Sequence, residues 1–264
     1  QATIRAIMAS MSTCLTFLVQ EQYLAQNVML LVRQKSRFLQ KEAEQIITRK
    51  LSSTQWRYVI DTAHALADKD EKFERHLFVL SAFFLLGLRI SELAVTERSI
   101  PLMSNFYADS NGRYWYKTVG KGNKYREVAV PDQMLQALSR YRLSRDLSPY
   151  PLKAESTLLL PKLKGRGGIG TRQIRNLVQD VFDCAIARLN RDNQAQLAAE
   201  LQMATVHWLR HTSISFDVMS RPTEHVRDDA GHENITITDR YIEVERIRRH
   251  DSARGKELYP EEGF

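Results

Sequence analysis

The sequence predicts a mainly helical α+β protein whose helices accompany one small three-stranded antiparallel sheet. Two observations predict it. Apolar residues recur at helical spacing through much of the 264-residue chain and make up 43% of it, enough to bury a core. Between Ser104 and Val130 the pattern changes to short runs of aromatic and β-branched residues separated by turn sequences.

Residues 3–33 place Ile4, Ile7, Met8, Met11, Leu15, Leu18 and Val19 at helical spacing. The basic stretch RQKSRFLQK from Arg33 to Lys41 then reads as a connector. Residues 1–40 are therefore expected to end a helical domain that begins upstream, and 41–264 to form a second domain with a C-terminal tail. The opening Gln1, where Met would start a complete chain, fits that expectation. Ser52-Ser53-Thr54 can cap a helix running through Trp56, Val59 and Ile60 to Ala67. Asp68-Lys69-Asp70 breaks it, an apolar helix follows over 72–87, and Leu86-Gly87-Leu88-Arg89 leads into a short helix bearing Glu92 and Leu93.

The three strands are expected at 105–108, 113–119 and 125–130, with turns at Asp109-Ser-Asn-Gly112 and Gly120-Lys-Gly-Asn123. Pro131 ends the sheet. Helices are expected at about 132–146, 171–190, 194–200, 205–219 and 223–229, before a polar tail.

A net charge of +7 favours a polyanionic partner, nucleic acid ahead of a membrane surface. The longest apolar run, Phe78–Leu88, is too short to span a bilayer, so no membrane partner is expected. Cys14 and Cys184 stand far apart and outside any metal-ligand spacing, and read as two buried free thiols in a reducing cytosol.

Several motifs carry chemistry only in combination. Gly165-Arg-Gly-Gly-Ile-Gly170 matches the spacing of a dinucleotide loop, yet Pro161 and two lysines precede it and no βαβ unit surrounds it. It reads instead as a basic loop, with Lys162, Lys164, Arg166, Arg172 and Arg175 either touching DNA phosphates or merely solvated. His207 and His211 have the i, i+4 spacing of zinc ligands, but no Glu adjoins the first, and Arg210 between them would repel a divalent cation. His207 and Arg210, three apart, share a helix face and could clamp a phosphate or form an ordinary surface pair. Arg89 at the end of an apolar helix is either half of a structural pair with Glu92 or a guanidinium held toward an anion. Lys121 sits in a hairpin turn, where lysines are commonly solvated bystanders, with Lys124 close by.

Taken together, Gly87-Leu-Arg89-Ile-Ser-Glu92-Leu, Gly120-Lys121-Gly-Asn-Lys-Tyr-Arg, His207-Trp-Leu-Arg210-His-Thr and Gly231-His232 with Tyr241 resemble the tyrosine recombinase (phage integrase) family in order, wording and spacing. The resemblance spans roughly 45–250 and implies that family's catalytic-domain fold, with 1–40 ending its core-binding domain. It implies Tyr241 as nucleophile, Arg89 and Arg210 as phosphate clamps, Lys121 as hairpin lysine, His207 and His232 at the two histidine positions, and Glu92 as an accessory acid. Lys124, Lys162, Lys164, Arg166 and Arg172 are the expected DNA contacts.

The implied reaction is strand cleavage and rejoining through a 3′-phosphotyrosyl link, without cofactor or metal. Two guanidiniums meet the charge that develops on the non-bridging oxygens. Lys121 would protonate the departing 5′-hydroxyl, and a histidine would help deprotonate a phenol whose ordinary pKa is about 10. The implied partners are double-stranded DNA and further copies of the chain, a tetramer on two DNA sites and a monomer or dimer off DNA. The implied location is the cytoplasm, in association with the nucleoid, for a protein of bacterial or phage origin. Alternative readings are a type IB topoisomerase-like relaxing enzyme and a non-catalytic DNA-binding protein of the same fold.

Overall fold

The structure, a computed structural model, describes residues 2–35, 49–120 and 125–231. The chain divides into two compact units, Gln1–Ile47 and Thr48–Phe264. The expected catalytic positions Lys121, His232 and Tyr241, and Lys124 with them, lie outside the described residues.

The first unit contains α1 (Ala2–Gln20) and α2 (Val28–Lys35). The stretch expected to be helical over 3–33 thus folds as two helices. Gln22 takes a left-handed conformation at φ 62°, which ends a helix. Asn27 then starts another by accepting from the Met29 amide, while its own amide nitrogen donates to the Ser12 carbonyl and to Thr16 Oγ1, at 2.9 and 2.8 Å. These bonds tie the start of α2 to the side of α1.

The second unit opens with α3 (Ser53–Lys69). Ser52 and Gln55 form a reciprocal capping box, in which Ser52 Oγ accepts from the Gln55 amide and Gln55 Oε1 accepts from the Ser52 amide. The buried stripe of α3 is Gln55, Val59, Thr62, Ala63 and Ala67. Asp70 stops the helix and caps a single 3-10 turn, so the apolar helix expected from residue 72 begins as α4 (Glu74–Leu86). Leu77 through Phe83 are all buried, which makes α4 the central helix of the unit.

Next come α5 (Ile90–Leu93) and the sheet of β1 (Phe106–Ala108), β2 (Tyr114–Val119) and β3 (Tyr125–Ala129). The strands are antiparallel in the order β1-β2-β3, with Tyr116 opposite both Phe106 and Val128. The helices α6 (Asp132–Leu143), α7 (Thr171–Arg191), α8 (Ala195–Gln202), α9 (Val206–Ser220) and α10 (Thr223–Ala230) complete the unit. The α6 helix stops three residues short of the expected 146, and Asp146 then turns left-handed at φ 55°. Met134, Leu138 and Tyr141 of α6, and Ile174, Val178, Val181 and Phe182 of α7, join α4 in one core, with Tyr141 stacked on Phe78 at 4.5 Å.

Both cysteines are free and exposed, not buried as the sequence suggests. Cys184 follows the exposed Asp183 on the outer face of α7, off the inward stripe of Val181, Phe182 and Ala185. No helix among the described residues is long and apolar enough to cross a membrane.

Candidate active site

The corner between α4 and α5 builds the first part of the site. Gly87 ends α4 in the left-handed region at φ 56°, where a side chain would be strained. Leu88 is buried, and Arg89 takes an extended conformation as the N-cap of α5. Its cap is supplied from within the helix: Glu92 Oε2 accepts from the Arg89 backbone amide at 2.6 Å. The other oxygen, Oε1, accepts from Arg89 Nη1 at 3.2 Å. Backbone and side chain of Arg89 are thus held by one carboxylate.

Glu92 is 2% exposed and would be costly to bury alone. Arg126, from β3, meets it with Nη2 on Oε2 at 2.6 Å and Nε on Oε1 at 3.1 Å. The Tyr116 hydroxyl donates to the Glu92 carbonyl at 2.9 Å, which pins α5 to the sheet. Burial by itself would raise the Glu92 carboxyl. The charge and hydrogen bonds of Arg126, the Arg89 amide and the charge of Arg210 outweigh it and hold the group below the ordinary carboxylate range.

The second part comes from α9 and α10. Arg210, 5% exposed, donates through Nη1 to the Gly87 carbonyl and through Nη2 to the Ala230 carbonyl, the latter at 2.6 Å. Arg89 Nη2 donates to the next carbonyl, that of Gly231, at 3.2 Å. Both arginines therefore dock on the C-terminal end of α10, where unpaired carbonyls carry partial negative charge. Gly231 closes that helix at φ 61°, and a Cβ there would lie 2.8 Å from Arg126 Cδ and 3.6 Å from Arg89 Nη1. A glycine is required on both counts.

His207 lies one turn before Arg210 on α9 and reaches solvent. Partial burial and the charges of Arg210 and Arg89 lower its pKa from the ordinary imidazole value, so the neutral ring is favoured. His211 meets it edge-on at 4.3 Å between ring centres and is pushed down to about 4 by burial, His207 and Arg210.

Behind the arginines, Asp229 of α10 accepts from the Ala129 amide of β3 at 3.3 Å and from Arg221. Arg221 also reaches Asp217 at 3.3 Å. Burial pushes the Asp217 carboxyl up to about 6, with Asp229 adding to the rise and Arg221 opposing it.

Of the expected site residues, the structure brings Arg89, Glu92, His207 and Arg210 together. Lys162, Lys164, Arg166 and Arg172 stand elsewhere as exposed side chains in and after the loop. That loop is a hairpin joined at Pro161 and Gly168, and Gly168 is required because a Cβ would lie 2.5 Å from Val95 Cγ2. Sequence reading passed over Arg126. The available signal is its phase, since Tyr125 and Glu127 face out and Arg126 points inward beside the buried Val128. Two rigidly held guanidiniums beside a neutral imidazole can bind a phosphate diester and accept a proton next to it.

No family model matches the chain. The architecture is that of a tyrosine recombinase catalytic domain. The chain resembles the XerH site-specific recombinase bound to palindromic difH (TM-score 0.57, 18% identity, 81% of this chain and 55% of that one). It also resembles the Tn1549 transposon integrase in complex with transposon right end DNA (TM-score 0.60, 16% identity, 96% and 80%). A curated relative, tyrosine recombinase XerC of Corynebacterium efficiens, is 25% identical over 181 residues, 68% of this chain and 50% of the relative. The chain thus spans about half the length of the curated relative it matches. These likenesses show the fold that this chain has in common with the solved recombinase and integrase.

Proposed function

We propose that this chain is the catalytic part of a site-specific DNA recombinase or integrase that cuts and rejoins strands through a 3′-phosphotyrosyl intermediate on Tyr241. The observation that supports this reading best is the docking of Arg89 and Arg210 on the consecutive carbonyls of Gly231 and Ala230. That arrangement aims two cations at one place, next to His207 and directly before His232 in the chain. Its chemistry suits a phosphodiester, since attack adds negative charge to the non-bridging oxygens and the guanidiniums are preorganised to meet it.

In this reading Tyr241 attacks the scissile phosphorus and Lys121 protonates the departing 5′-hydroxyl. His207, favoured in its neutral form, helps take the phenol proton, and His232 fills the second histidine position. Rejoining is the same step reversed by a 5′-hydroxyl from another strand. Energy is conserved in the phosphotyrosyl bond, so no ATP is consumed. Glu92 supports Arg89, and Lys124, Lys162, Lys164, Arg166 and Arg172 contact DNA phosphates. Residues 1–40 complete a core-binding domain, and four copies assemble on two DNA sites. The protein works at the nucleoid, in the cytoplasm of a bacterium.

The test is a suicide duplex whose nick lets the 5′-hydroxyl product diffuse away after cleavage. The full chain should accumulate a covalent protein–DNA adduct that Tyr241→Phe abolishes. A wild-type chain that binds the duplex but forms no adduct would favour a non-catalytic DNA-binding protein instead.

A further inference from the structure

The site holds three arginines, and the recombinase chemistry uses two. Arg126 Nε and Nη2 engage both oxygens of a carboxylate that is 2% exposed. The same carboxylate takes the backbone amide and Nη1 of Arg89. One buried acid therefore joins β3 to the corner that carries the first clamp arginine. The remaining Arg126 nitrogen, Nη1, is buried without a hydrogen-bond partner among the described residues, and its burial leaves it no route to the substrate. Gly231 adds a third observation, because any side chain there would strike Arg126 Cδ.

Charge gives the arrangement a purpose. Unopposed, Glu92 would neutralise Arg89 in a medium where ion pairs are strong. The bidentate bond to Arg126 takes up that negative charge first. Three guanidiniums then face one carboxylate, and the surplus of two matches the two negative charges of a phosphorane-like transition state.

Resting on the recombinase reading, we propose that Arg126 is a positioning residue: by engaging both oxygens of Glu92 it neutralises that carboxylate, holds it as the cradle of Arg89, and leaves the charge of Arg89 and Arg210 to the scissile phosphate. The groups that face Glu92 are Arg89 at the start of α5, Tyr116 of β2, Arg126 of β3 and Arg210 of α9.

Single-turnover cleavage of the suicide duplex by the full chain tests it. Arg126→Gln should slow adduct formation roughly 100-fold, the cost of a misplaced catalytic group, with DNA affinity nearly unchanged. Adding Glu92→Gln to that variant should restore about tenfold, because the uncompensated charge goes with it. A merely structural Arg126 predicts instead that the single-variant loss disappears once rates are compared at equal folded fraction, measured by thermal unfolding of each variant. The double variant also guards against misfolding, since it leaves no unpaired buried charge.

A second readout does not depend on cleavage. The ¹³C-carboxyl signal of Glu92, assigned by its loss in Glu92→Gln, should titrate at higher pH in Arg126→Gln than in wild type. An unchanged titration overturns the proposal. Should the wild-type chain form no adduct at all, the recombinase reading fails, and this titration still decides whether Arg126 governs Glu92.

Discussion

Arg89, at the start of α5, and Arg210, in α9, end on neighbouring carbonyls, Gly231 and Ala230. Each also holds a second group at the α4–α5 corner, Glu92 for Arg89 and the Gly87 carbonyl for Arg210. The separation of the two guanidiniums is thus set by backbone, and side-chain rotation has little say in it.

Arg210→Lys should therefore abolish most cleavage while leaving DNA binding close to wild type. An ammonium cannot span the Gly87 and Ala230 carbonyls and still present a planar fork to phosphate. The expected loss in adduct rate is about 100- to 1,000-fold, roughly 3–4 kcal/mol of transition-state stabilisation. A loss in affinity of the same size would instead assign Arg210 to ground-state binding.

His211 predicts a pH effect on stability. Below its ordinary value of 6.5 the unfolded chain takes up a proton that the folded site refuses until about 4. Stability is whole above pH 6.5 and declines between those two values. Urea titrations of His211→Gln should show a flatter profile across that window. His207 is shifted in the same direction, so the acid limb of the cleavage rate should have its midpoint below 6.5.

Asp217 works the other way. Its carboxyl, raised from 3.8 to about 6, contributes fully below the lower value and loses that contribution as pH rises through the upper one. Asp217→Asn should accordingly stabilise the chain at pH 8 by about 1–2 kcal/mol. Equal stability of variant and wild type at pH 8 would mean that Arg221 fully offsets the burial.

Gly231→Ala tests the close approach at the end of α10. The left-handed backbone and the 2.8 Å distance to Arg126 Cδ both oppose a methyl group. Global stability should fall by about 1 kcal/mol. Cleavage should fall much further, because Arg126, which holds the carboxylate beneath Arg89, must move aside. Thermal unfolding and adduct rate, measured on one preparation, separate the two effects.

Periodicity made the large elements legible. Val59, Ala63 and Ala67 announce α3, the apolar block from Phe78 announces α4, and the aromatic alternation around Tyr116 announces the sheet. Arg89, Glu92, His207 and Arg210 were legible as a set because their local wording matches a family pattern. Features made by distant partners were not legible. The break after Gln20 depends on Asn27 reaching back to Ser12 and Thr16 across a turn. Arg126 gains its meaning from Glu92, 34 positions earlier, and no local pattern names that partner. The exposure of Cys184 depends on which face of α7 the core selects.

The bond from the Ala129 amide to Asp229 has a mechanical meaning. It fastens the far end of β3 to the last turn of α10, while Arg126 fastens the near end to Glu92. The strand is therefore riveted at two points to the frame that carries both guanidiniums. A load applied along β3 is transmitted to the whole clamp as a rigid tilt.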